Sequence, residues 1–323
     1  MSGVFPALIW HLTLVDLLLL LATVVIVPLG LRLLPFAGPR SRQVLWVARL
    51  VQPFGAAAAV TSFLFAPGWT AGVVALGWLI TCAIASLAGL IELIERRSLR
   101  PLHLVPAAAV AYLSFGAGWL VLSRAGLRPE NFSHEIVELT GVHFHYAGFA
   151  ATLMAALTVG AVRDRSRLAT FASGAAMLIV VGVPITAAGI ATSSGLVTVL
   201  GPVFLGAGVL SVAGITGLAI APRIRPESSL PRLRGRVGWG PLAFARWLLW
   251  ISAAGVVLPM LLGVDYAISR VFPIPALDLR AMALIHGDLN ALVFSLAGLL
   301  GWTLSQADRS ACVGASRAAR SAG

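Results

Sequence analysis

Residues 134–156 read HEIVELTGVHFHYAGFAATLMAA. Its length and its apolar second half suit a membrane helix, yet its first half carries Glu135, Glu138, His134, His143, His145, Thr140 and Tyr146. Ionisable groups are costly in hydrocarbon, and where they occur they normally face a bundle interior or a wet cavity. This segment is therefore expected to be a central helix lining a polar chamber. The fold class expected is all-α, a polytopic membrane helix bundle.

The rest of the chain fits that frame. Of 323 residues, 59% are hydrophobic and 11% charged, with a mean hydropathy of +0.95. Globular domains carry about a quarter charged residues, which excludes an ordinary soluble protein. The formal charge of +11 invites a nucleic-acid partner. Its distribution argues against one: all 23 basic residues are arginines, placed in short gaps between apolar runs. That is how topology is encoded, and membrane lipids are the partners it implies. The absence of lysine points to a high-GC bacterial genome, hence to a bacterial plasma membrane. Cys82 and Cys312 offer neither a disulfide framework nor a metal knuckle. No positive segment precedes the first apolar run, so that run is expected to be a retained span and not a cleaved leader.

A bilayer core needs about 20 apolar residues per helix. Such runs fall at 7–31, 44–65, 71–94, 103–123, 136–162, 168–191, 195–221, 242–264 and 281–304. Nineteen arginines fall in alternate gaps and the tail, while Arg124, Arg128, Arg270 and Arg280 occupy the opposite gaps. The positive-inside rule then predicts nine spans with the N-terminus outside and the C-terminus inside. Residues 1–305 read as one membrane domain. Within it, 222–241 is an Arg- and Pro-rich cytoplasmic loop, and 306–323 is expected to be a disordered tail. Trp10, Trp69, Trp119, Trp239 and Trp302 fall near span ends, where an interfacial belt belongs. There is no repeat of the inverted-transporter kind.

Three spans that run in the same direction carry polar side chains. The first holds His11 and Asp16, the fifth the residues quoted above, and the ninth His286, Asp288 and Asn290. At ~1.5 Å per residue, His11, His143 and His286 lie roughly 8–10 Å below the outer boundary, His145 and Asn290 about 13 Å, and Asp16 about 16 Å. Three distant helices thus place polar groups in one layer. At ~100° per residue, Glu138 and His145 share a face with Gly141 and Gly148 but are ~10 Å apart along the axis. They can flank a substrate or connect through water. His134 and Glu138 share a face, as do His286 and Asn290. His143 and His145 point roughly 160° apart and cannot chelate one metal. Single buried His, Asn or Thr side chains often do no more than bond neighbouring helices. Glu92, four residues before Arg96, reads as half of a helical surface pair.

No metal or cofactor is expected. The six histidines are too few for an eight-histidine membrane di-iron site, and HEIVE at 134–138 is not HExxH. Walker, GxSxG and strand-flanked GxGxxG motifs are absent from the sequence.

The segments ELTGVHFHYAGF in the fifth span and IHGDLNALVFSLAGLLGW in the ninth resemble the YndJ-like family of bacterial multi-pass membrane proteins. The resemblance implies Glu138, Thr140, His143, His145, His286 and Asn290 as a polar signature. The family is often labelled a transporter.

Two functions follow as expectations. In the first, the chain is an intramembrane enzyme performing redox-neutral cyclisation, isomerisation or epoxide opening on a lipophilic small molecule. Glu138 serves as acid and His145 or His286 as base, with His143, Thr140, Tyr146, Asn290, His11 and Asp16 contacting substrate. In the second, a proton-coupled transporter uses the same Glu and His residues as a relay. A third and weaker option is a binding or assembly subunit with a structural polar core.

Overall fold

The computed structural model describes residues 12–192, 194–224 and 241–306, and the side chain of Asn131 is not described. His11, Trp10, Trp239, Cys312 and most of the Arg-rich loop and tail lie outside the described residues. Among the described residues there is no strand, and nine helices are long and apolar enough to cross a membrane. These are α1 (Leu14–Leu33), α2 (Pro39–Ser62), α3 (Trp69–Arg96), α4 (Pro101–Arg124), α5 (His134–Val162), α6 (Ser166–Thr192), α7 (Gly195–Arg223), α8 (Pro241–Ser269) and α9 (Leu279–Gln306). Every described boundary falls within about five residues of the hydropathy reading except one. The helix α1 begins at Leu14, and the expected start near residue 7 lies outside the described residues.

The exception has a local cause. Thr13 and Asp16 form a capping box: Thr13 N–H and Oγ1 both donate to Asp16 Oδ2 at 2.8 Å, and Asp16 N–H donates to Thr13 Oγ1 at 3.2 Å. Such a box satisfies orphan donors of the first turn and fixes where the helix starts. Asp16 is therefore a first-turn residue and not a midplane one. It belongs to the same end of the bundle as the start of α5, where Val15 packs with Leu139.

The most buried helix is α5. Its apolar window is 83% buried, against 22–56% for the others. It touches α1 through Tyr146 and Leu18, α3 through His145 and Trp78, and α6 through His143 and Val183. It also meets α7 through Thr158 and Thr216. Glycines bring α4 and α9 close: a methyl group on Gly148 would lie 2.7 Å from Tyr112 Cβ, and Gly298 faces Met154. Small residues at helix crossings are how membrane bundles gain close packing. The central position expected for α5 is the observed one.

The turns of the three polar helices are not regular. Wider π-helical segments occur at Ala22–Ile26 in α1, Phe144–Ala151 in α5, and Ala283–Gly287 and Leu289–Leu296 in α9. A further one lies at Thr216–Ile220 in α7. π-turns insert extra backbone into a helix and are frequent at functional sites. Azimuths counted at a constant angle per residue therefore drift beyond residue 144.

Glu92 departs from the surface reading. The pair with Arg96 Nε is present at 2.9 Å, but Glu92 is 2% exposed. Its carboxylate also accepts from Gly38 N–H at 2.9 Å, from Ala37 N–H and from Ser41 Oγ at 2.5 Å, capping the start of α2 from a neighbouring helix. Helix N-terminal donors with no partner in their own helix explain why an acid is held there. Trp302 is likewise core, at 4% exposure, whereas Trp69 at 82% fits a belt position.

Candidate functional site

The polar residues assemble into two groups along α5. The first lies at the His134 end and joins α1, α4 and α5. Ser133 caps α5 by accepting from Ile136 N–H, so His134 occupies the first turn and reaches one turn onward. Its Nε2 donates to Glu138 Oε1 at 2.9 Å. Ser123 Oγ of α4 donates to the same oxygen at 3.1 Å. Glu138 is 4% exposed, whereas the His134 side chain is 31% exposed. A buried carboxylate is thus linked to the surface by one imidazole.

Asp16 and Arg124 lie at this same end: Val15 packs with Leu139, the neighbour of Glu138, and Ser123, the neighbour of Arg124, bonds Glu138 itself. Asp16 and Arg124 are nearly inaccessible, at 6% and 4% exposure. Arg124 Nη2 donates to the carbonyls of Ser62 at 3.2 Å and Phe65 at 2.7 Å, closing the last turn of α2. Its guanidinium lies 4.4 Å over the Phe63 ring. Its Nε and the Asp16 Oδ1 have no hydrogen-bond partner.

The second group lies deeper, between α5, α8 and α9. His286 Nδ1 donates to the Pro259 carbonyl at 2.7 Å, and its ring lies against Gly263, where a methyl group would come within 2.9 Å of Cε1. His143 Nε2 makes a long 3.4 Å bond to the Val183 carbonyl. Tyr146 Oη donates to the Leu18 carbonyl at 2.9 Å, and Gly287 of α9 lies against the Leu18 side chain. Asn290 Oδ1 is buried without a partner, as is Ser295 Oγ.

Glu138 and His145 do share a face, but that face is packed. Gly141, between them, lies close to Leu19, Gly116 and Leu120, leaving contact distance and no chamber. His145 is fully buried. Its Nδ1 donates to the Gly141 carbonyl at 2.7 Å and its Nε2 accepts from Trp78 Nε1 at 3.1 Å. An imidazole with both nitrogens engaged and no accessible edge holds helices together. Thr140 Oγ1 likewise donates to its own helix, at the Ile136 carbonyl, 2.7 Å away.

The structure therefore places Glu138 and Asp16 at one level, while His143, His145, Tyr146 and His286 each bond a different backbone carbonyl and Asn290 Oδ1 is buried without a partner. Sequence reading left out Ser123 and Arg124. Arg124 had been counted with the loop charges, although an arginine at the arginine-poor end, in the last turn of an apolar run, was a signal. Among the described residues, no three His, Cys, Asp or Glu side chains come together as a metal site. A surface concavity lined by Pro241, Phe244, Trp247, Ile251 and Leu304 is almost wholly apolar and shares no residue with either group.

Nine membrane-length helices among the described residues, with polar groups threaded along the central one, define a multi-pass membrane protein with a candidate intramembrane site. The family model described as YndJ-like protein matches residues 17–294, and the chain belongs to that family. The matched range includes α5 and the polar part of α9. No curated protein and no solved structure matches the chain.

Proposed function

We propose that the chain is an intramembrane acid–base enzyme of the bacterial plasma membrane, acting on a lipophilic small molecule that enters at the His134 end. The observation that carries this reading is the Glu138–His134 pair, in which a 4%-exposed carboxylate is joined at 2.9 Å to an imidazole that is 31% exposed. Glu138 is the group that gives up and recovers a proton at the substrate, and His134 exchanges that proton with water. Asp16 is a second carboxylate at the same level. His286, with Nδ1 committed to Pro259, presents its Nε2 lone pair as the second base. His145 is reassigned from base to scaffold.

The chemistry suited to such a site transfers protons without net oxidation: cyclisation, isomerisation or epoxide opening. The described titratable groups of α5 and α9 all lie in the halves nearer their first residues, which suits entry from one end. The second reading, a proton-coupled transporter, is favoured by the π-helical segments in all three polar helices, since transporters use interrupted helices at their binding sites.

Metabolite profiling separates the two. A strain lacking the chain, complemented by wild type or by Glu138→Gln, is extracted and its lipophilic fraction compared. An enzyme leaves an unconverted precursor in the Glu138→Gln strain. A carrier leaves a finished product on the wrong side of the membrane. Asp164→Asn, at a side chain 90% exposed, serves as the control and should complement fully.

A further inference from the structure

We propose that the notch where α1 ends against α2 binds an anionic phospholipid, with its phosphate on Arg32 and Arg49. This site is separate from the polar groups of α5 and does not rest on the enzyme reading.

The geometry starts from Arg49. Its Nε and Nη2 donate to the Leu31 carbonyl at 2.9 and 2.7 Å, and Nη2 lies 3.4 Å from the Arg32 carbonyl. Carbonyls at a helix end have no donor in their own helix, which is why a side chain from α2 serves them. Gln52 Nε2, further along α2, donates to the Thr23 carbonyl at 2.9 Å, so the two helices are tied at two levels. The Arg49 guanidinium is thereby fixed beside the root of Arg32, an exposed side chain in the last turn of α1. Two cations share one small space, an arrangement that repels unless an anion joins them. Among the described residues no carboxylate pairs with Arg32, Arg42 or Arg49. Glu92 and Glu95 are spent on the backbone of residues 37–41. The Nη1 end of Arg49 makes no bond to the described residues and is left to face outward.

The level is that of lipid headgroups. With 20 residues, α1 is about 30 Å long, the thickness of a bilayer core, so its end lies at the hydrocarbon boundary. The helix α2 begins at Pro39, ten residues before Arg49, and continues ~15 Å beyond that level as a wall. Arg42, Trp46 and Arg49 are exposed on one face of that wall, at i, i+4 and i+7. Leu50 and Phe54 continue the Trp46 row toward the hydrocarbon and are exposed as well. Cations and an indole at the boundary, with an apolar row beneath them, match an amphiphile of negative head and acyl tail.

The chemistry selects within that class. A phosphate diester accepts from both guanidinium groups at once and cancels their repulsion. A choline headgroup carries its own cation into the same place. A soluble phosphate ester meets the arginines but leaves the apolar row uncovered.

The full chain, delipidated in detergent micelles, is titrated with phosphatidylglycerol or phosphatidylcholine of identical acyl chains, and bound lipid is read by native mass spectrometry. The first phosphatidylglycerol should bind about tenfold tighter than phosphatidylcholine, the equivalent of ~1.4 kcal/mol. Arg32→Gln should reduce that preference severalfold, and Arg32→Gln with Arg42→Gln should remove it. Arg167→Gln, at an exposed arginine at the start of α6, should keep it. A phosphatidylglycerol with a diazirine near the glycerol should label wild type between Trp46 and Phe54, a readout that holds even if a variant fails to fold. Equal binding of the two lipids, equal losses in Arg32→Gln and Arg167→Gln, or label confined to other helices would overturn the site and leave diffuse charge attraction only. Displacement of bound lipid by equimolar glycerol phosphate would overturn the lipid and leave a soluble anion.

Discussion

Replacing His145 by alanine should damage the fold before it damages chemistry. The imidazole is fully buried, bonded to Trp78 at one nitrogen and to the Gly141 carbonyl at the other, and pressed against Gly116, where a methyl group would lie 2.7 Å from Nδ1. Truncation removes two hydrogen bonds, each worth ~0.6 kcal/mol in a membrane bundle. It also leaves a cavity at the crossing of three helices, where large-to-small changes cost about 2–5 kcal/mol. A net loss of ~2–4 kcal/mol is expected. The assay is reversible unfolding in mixed micelles, read by tryptophan fluorescence, with Trp78 a direct reporter. His145→Gln keeps an acceptor for Trp78 and should recover part of the loss. A wild-type unfolding midpoint for His145→Ala, accompanied by complete loss of function, would refute this assignment and restore His145 as a chemical residue.

Other expectations follow from the same contacts. Glu92→Gln should lower stability by ~2 kcal/mol, because it weakens charged bonds to the start of α2 and to Arg96, and unfolding titration would show it. Tyr146→Phe removes only the bond to the Leu18 carbonyl and should cost about 0.5–1.5 kcal/mol, with an unaltered expression level. Reporter fusions after residue 320 should behave as cytoplasmic and those near residue 130 as external, because the arginines are so unequally divided. An external reporter signal at the C-terminus would overturn that topology.

Much of the bundle was legible in the chain because the membrane imposes it. Apolar runs mark the nine membrane-length helices found among the described residues, and the density of ionisable groups marked α5 as the central one, whereas α9 is no more buried than α3 or α7. What escaped had specific causes. The start of α1 was hidden because Thr13 and Asp16 sit within a continuous apolar run, although T-x-x-D is itself a capping signal. The π-helical segments leave no trace in hydropathy, since they depend on neighbouring helices. So the face shared by Glu138 and His145 was read correctly, while its covering by α4 was not. Glu92 drew its partners from residues 37–41, more than fifty positions away, where no local pattern could show them. Arg124 was misread because charges at span ends usually serve topology. Here the guanidinium folds back under α2, onto the carbonyls of Ser62 and Phe65.

The central claim is that Glu138, fed by His134, transfers protons to a lipophilic substrate. The most direct measurement compares lipophilic extracts of the deletion strain complemented with wild type, Glu138→Gln, His134→Ala and Asp164→Asn, at matched protein abundance. The account predicts one precursor accumulating in the Glu138→Gln strain and, to a lesser degree, in the His134→Ala strain, with its isomeric product missing in proportion. Wild type and Asp164→Asn should show only the product. A Glu138→Gln strain that makes the product normally, or that retains it in place of exporting it, would contradict the enzyme outright.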